Sequence, residues 1–206
     1  MLAGFAEKAA SFYVEKGVIS REDQEVYSYS FEVLFSTILN VVVIILIAVL
    51  SRQFTAVVAF SVIFILMRRN AGGYHAETHL GCTSILIFVL ITYLAAVRYL
   101  TADIKTICFI GFLGFAVPVI FSLAPVEHPN NPLYDKSKIT LRRNAILIFC
   151  ISACVSILSF FYFRELSFYI SAGIFVATVS ALAEHIRHIV ALKNVGRRIN
   201  KYEEDS

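Results

Sequence analysis

The stretch RRNAGGYHAETHLGC, residues 68 to 82, holds the parts of nucleophilic acyl transfer: a thiol, Cys82, with His79 three residues before it and His75 seven before it. A thiol attacks as its thiolate, and a free cysteine, with a pKa of about 8.5, is ionised only to a few per cent near neutrality. Cys82 therefore needs a base. If the segment is helical, His79 shares a face with Cys82. His75 lies about 10 Å away along a straight helix and reaches the sulfur only where the chain folds back. Glycines at 72, 73 and 81 make such folding cheap. Spacing alone leaves both histidines open as the base.

Other uses of these residues compete. A polar hairpin between two apolar runs is naturally rich in Gly, Arg and His. Alternatively, Cys82 is a loop cysteine without a role. His75 and His79 stand at i and i+4 with Glu77 between them and Cys82 beyond, which could be metal-ligand spacing. The pattern is not HExxH and no separate ligand cluster accompanies it, so neither a metal nor another cofactor is expected. Against an inert segment stands the cost of placing so many ionisable groups at a membrane boundary, where a functional site is the default reading.

The elements that position the segment follow from composition. Of 206 residues, 58% are hydrophobic and 16% charged, whereas a soluble domain carries about 25% charged residues. The apolar residues fall into six blocks: 31–50, 54–67, 83–97, 104–124, 145–163 and 168–183. Each is long enough, or nearly so, to cross a hydrocarbon core about 30 Å thick as a helix. The second and third blocks are short and abut residues 68–82, so tilted spans or polar ends buried in protein are expected there. The fold class is thus an all-α integral membrane protein of six transmembrane helices, read as one domain over 1–206.

Residues 1–27 are mixed in charge and read as something other than a signal peptide. Leu2, Phe5, Ala9, Phe12 and Tyr13 recur at helical spacing beside Glu7, Lys8, Glu15 and Lys16. That pattern predicts an amphipathic helix, lying either in the interface or as a cap on the bundle. Gly17 is placed to end it, and Ser20 with Asp23 to form a capping box for the next helix.

Orientation follows from Lys and Arg, which collect on the cytoplasmic side. Fourteen fall before the first block, after the second and fourth, and after the sixth. Four, Arg52, Arg98, Lys105 and Arg164, fall on the other side. Both termini and residues 68–82 are therefore expected to be cytoplasmic, which keeps Cys82 a free thiol. Cys108, Cys150 and Cys154 sit inside apolar blocks as small hydrophobes.

The loop 125–141, PVEHPNNPLYDKSKITL, contains three of the four prolines. Lys136, Lys138, Arg142 and Arg143 form a basic cluster in and after it, and His128 reads as a turn residue. RRNA recurs at Arg142, which is read as coincidence. In the tail, 184–206, Glu184, His185, Arg187 and His188 read as a solvated helix face.

Together, Arg68, Arg69, Ala71, Gly72, Gly73, His75 and Cys82 resemble the active segment of the AgrB family, membrane cysteine endopeptidases of bacterial quorum sensing. The loop APVEHPNNPL, residues 124 to 133, is similar to that family's loop after its fourth span, and the likeness covers nearly the whole chain. The resemblance implies that the protein removes the C-terminal tail of an AgrD-type propeptide and leaves a cyclic thiolactone or lactone peptide. It implies Cys82 as nucleophile and His75 as general base and acid, leaving His79 a departure to explain and Glu77 a candidate orienting group. Arg68 and Arg69 would polarise the scissile carbonyl or hold a substrate carboxylate, with the amides of Gly72 and Gly73 as alternative oxyanion donors. Lys136, Lys138, Arg142 and Arg143 would suit an acidic substrate tail, although the positive-inside bias alone accounts for them. The implied partners are that propeptide, the bilayer and a second copy in a homodimer, with no nucleic acid. The competing functions are a peptide transporter or export channel and a membrane scaffold. Transport is disfavoured because Asn40, Ser61, Thr92 and Ser156 are scattered through the spans without a charged relay.

Overall fold

A computed structural model describes residues 2–74, 78–126 and 135–204. The described residues form seven helices: α1 (Leu2–Glu15), α2 (Gln24–Ser51), α3 (Phe54–Ala71), α4 (His79–Tyr99), α5 (Ala102–Leu123), α6 (Asp135–Tyr162) and α7 (Arg164–Glu204). The last six each carry a segment long and apolar enough to cross a membrane. Their outward faces are aliphatic and aromatic, as lipid requires: Ile45, Phe88, Ile107, Ile151 and Leu158 are all exposed.

Local chemistry explains the helix ends. Gly17, at φ +69°, ends α1 as expected. Its N–H reaches the Val14 carbonyl and that of Val18 the Tyr13 carbonyl, the paired bonds of a Schellman stop. Ser20 and Asp23 bond to each other through side chain and backbone just before α2 begins. Thr101 caps α5 and Thr78 caps α4, the latter accepting from the Gly81 N–H at 3.1 Å. α1 buries Ala6 and Ala10 while Phe5 and Phe12 stay exposed, and Tyr13 stacks on Phe31 of α2. The N-terminal helix therefore packs on α2 while presenting an apolar face outward. The span read as 168–183 runs on without a break into the tail as the 41-residue α7.

The core lies where α3 and α7 cross. Val57, Phe60 and Met67 of α3 and Ile174 and Ala177 of α7 are fully buried. A Cβ on Gly173 would stand 2.8 Å from the Phe60 carbonyl oxygen, so only glycine permits this approach. Polar groups tie further helix pairs together. The Tyr93 hydroxyl donates to the Ala56 carbonyl, Thr83 to Asn40 at 2.8 Å, and Ser156 to the Ser167 carbonyl. Two of the scattered polar residues, Asn40 and Ser156, are thus interhelical ties. Contacts of Ala71 with Val126, and of Tyr74 with Ser180, place the α3–α4 turn, the end of α5 and the far half of α7 at one end of the bundle.

Candidate active site

α3 ends because Gly72 breaks it. Its φ is +82°, and a Cβ there would meet the Val126 carbonyl oxygen at 2.5 Å. The Val126 N–H in turn donates to the Ala71 carbonyl at 2.9 Å, so the segment after α5 seals the end of α3. Gly73 lies equally close to α7, where a Cβ would meet Ser180 Oγ at 2.9 Å and Arg68 Cγ at 3.1 Å. Next in the chain, the Tyr74 N–H donates to both the carbonyl and the hydroxyl of Ser180, each at 3.0 Å. Two glycines and a serine thus lead the chain off α3 and lay it against α7.

Arg68 crosses this turn. Its guanidinium lies over the Phe64 ring. One nitrogen, Nη2, donates to the Tyr74 carbonyl and also stands 3.7 Å from Cys82 Sγ. Cys82 lies in the first turn of α4, half-buried, with its N–H on the Thr78 carbonyl at 3.1 Å. The sulfur thus lies at the start of a helix and beside a guanidinium. Thr83, the next residue, is buried on Asn40 of α2, which fixes the rotation of α4 about its axis. Arg69 is exposed. The last turn of α3 and the first turn of α4 thus come together at Arg68 and Cys82, fourteen positions apart in the chain. His75 and Glu77 lie outside the described residues, as does His128, and so do the side chains of His79 and Lys136.

The basic cluster divides. Lys138 and Arg142 line a cleft of about 520 Å³, and Arg143 is exposed on the same helix. Across the cleft stand His185 and His188 of α7, and Arg142 Nη2 donates to the Phe121 carbonyl at 3.2 Å.

The tail residues correct the expectation of a solvated face. Glu184 is 1% exposed, with Arg187 at 4.0 Å, and the Arg187 guanidinium lies over the Tyr74 ring at 5.5 Å. Ser180, Glu184 and Arg187, at i, i+4 and i+7, share the face of α7 that meets the chain after Gly73. The signal was present in the sequence. The buried stripe Ile170, Ile174, Ala177, Ala181 steps by four, three and four, and the next step of three lands on Glu184.

A family model described as Accessory gene regulator B matches residues 6–181. A putative AgrB-like protein of Clostridium perfringens (strain SM101 / Type A) is 24% identical over 168 residues, covering 79% of this chain and 78% of that protein. Putative AgrB-like protein 2 of Clostridium perfringens (strain 13 / Type A) is 19% identical over 180 residues, covering 84% of each. No solved structure matches the chain significantly.

Proposed function

The chain belongs to the accessory gene regulator B family, and from that membership we propose that it is a membrane cysteine endopeptidase that cuts an AgrD-type propeptide through a thioester on Cys82. The contact of the Arg68 guanidinium with Cys82 Sγ carries this proposal. The same cation holds the carbonyl of Tyr74, the residue immediately before the proposed base His75. The site faces the cytoplasm, as the distribution of Lys and Arg supports, and the protein works as a homodimer, as the family resemblance implies.

In the proposed cycle, the His75 imidazole takes the proton from Cys82 Sγ, and the sulfur attacks the carbonyl carbon preceding the tail. The tetrahedral adduct collapses with loss of the C–N bond, and His75 returns the proton to the leaving amine. The tail departs and a thioester remains on Cys82. A thiol or hydroxyl within the retained part of the propeptide then gives its proton to His75 and attacks the thioester. The ring closes, and the Cys82 sulfur leaves and regains the proton. Arg68 offsets the charge on sulfur when it forms and again when it departs. Closure competes with hydrolysis because the second nucleophile is already in the same molecule, where effective molarities of roughly 10⁵ M or more are attainable.

Replacing Cys82 by Ala in cells that co-express the cognate small propeptide tests the proposal. Tail removal is expected to stop; unchanged tail removal refutes the enzyme and leaves the transporter as the better reading.

A further inference from the structure

We infer that the cleft between the end of α5 and helices α6 and α7 binds the phosphate headgroup of an anionic phospholipid. Its volume, about 520 Å³, falls within the range of small-ligand sites, roughly 300–1,000 Å³. Lys138 and Arg142 stand one helical turn apart on one wall, and His185 and His188 nearly so on the other. The bond from Arg142 to the Phe121 carbonyl uses one of five N–H groups and pins the guanidinium at the cleft, leaving further donors for a phosphate. Four nitrogen-bearing side chains from two helices thus converge on a space floored by Ala124, Pro125 and Val126.

The rim selects a lipid. Ile139, next to Lys138, is 72% exposed, and Ile186 and Ile189, next to His185 and His188, are also exposed. Basic groups lining an open cleft, with exposed aliphatic groups beside them, match a headgroup and the start of its acyl chains. Basic pockets between membrane helices on the cytoplasmic side are where anionic headgroups bind. A substrate peptide fits less well. Among the described residues, none between 68 and 82 lines the cleft, and the Ala71–Val126 bond, with the Val126 carbonyl seated on Gly72, stands between it and the Arg68–Cys82 pair. The site does not depend on the chemistry at Cys82.

The full-length protein in nanodiscs of phosphatidylcholine with a minority of phosphatidylglycerol, released for native mass spectrometry, provides the test. Wild-type protein is expected to retain phosphatidylglycerol selectively, and K138Q/R142Q to lose that selectivity by roughly tenfold. R143Q, which removes one charge from the same helix outside the cleft, is expected to keep it. H185Q/H188Q leaves the fixed charges in place and is expected to weaken retention by about threefold, so a folding failure of the first variant does not end the test. Retention of phosphatidylglycerol by both cleft variants at the wild-type level overturns the proposal, and so does an equal loss in R143Q. If glycerol phosphate in solution displaces no lipid but stabilises the protein at the same residues, a soluble phosphate is the ligand instead. If the cleft variants keep their lipid but lose cross-linking to a propeptide carrying a photoreactive tail, the cleft is a peptide site and the lipid proposal fails.

Discussion

The guanidinium of Arg68, on the last turn of α3, lies 3.7 Å from the sulfur of Cys82, on the first turn of α4, and the same nitrogen holds the carbonyl of Tyr74. One side chain thereby couples the nucleophile to the chain entering His75. Lysine keeps the charge, but its ammonium is a compact, strongly hydrated point charge on a shorter and more flexible stem, so it is held less well between the two partners. R68Q is expected to reduce tail removal by about 100-fold and R68K by about 10-fold, with R69Q losing less than either. Quantifying released tail peptide over time in membranes of each variant checks the order. Equal activity of R68Q and wild type would show that the contact has no part in the reaction.

Gly72 supplies a conformation and a space at once. A methyl group there needs both a strained positive φ and displacement of the Val126 backbone, which together cost on the order of 1–3 kcal/mol or more. G72A is expected to assemble in the membrane with its six spans but to lose at least about 10-fold in tail removal. Protein level and helix content, measured beside activity, separate misplacement of the site from failure to fold.

Glu184 is a carboxylate buried on the face that Tyr74 meets, with the Arg187 guanidinium both near it and over the Tyr74 ring. E184A removes the carboxylate 4.0 Å from that guanidinium and opens a gap on the face that Tyr74 meets. Removing one member of a buried pair typically costs about 3 kcal/mol or more, less here because Arg187 is partly exposed and can turn to water. The expected outcome is a lower unfolding temperature in detergent together with reduced tail removal. E184Q, which keeps the volume, is expected to fall between E184A and wild type.

Much of this architecture was legible in the sequence because lipid imposes a single demand: each span must be a helix with an apolar exterior for some 20 residues. The six blocks anticipate α2 to α7 on that ground, and Gly17 marks the end of α1 by local chemistry, whereas Ser20 and Asp23 bond to each other ahead of α2 and Asp23, its N-cap, makes no side-chain cap bond. Helix continuity was harder to read. α2 begins at Gln24, before its apolar block, and α7 runs to Glu204, because polar helix formers extend a helix without raising hydropathy. The meeting of α3 and α4 at residues 68 and 82 could be anticipated from the glycines between them, but which side chain would meet the sulfur could not. That depends on Val126 and Ser180, 54 and 108 positions after Gly72, pressing on the turn. Glu184 lies on the buried stripe of α7, yet a carboxylate beside Arg and His reads as solvated, because in the sequence its charge hides its register.

The most direct measurement of the central claim is the mass of the protein after reaction with a propeptide whose ring-forming nucleophile is replaced by alanine, so that the acyl group has no internal acceptor. The account predicts a mass gain equal to the propeptide without its tail, mapped to Cys82, removed by hydroxylamine and absent from C82A. Tail release from that propeptide with no adduct on Cys82, or an adduct mapped to another residue, would contradict it.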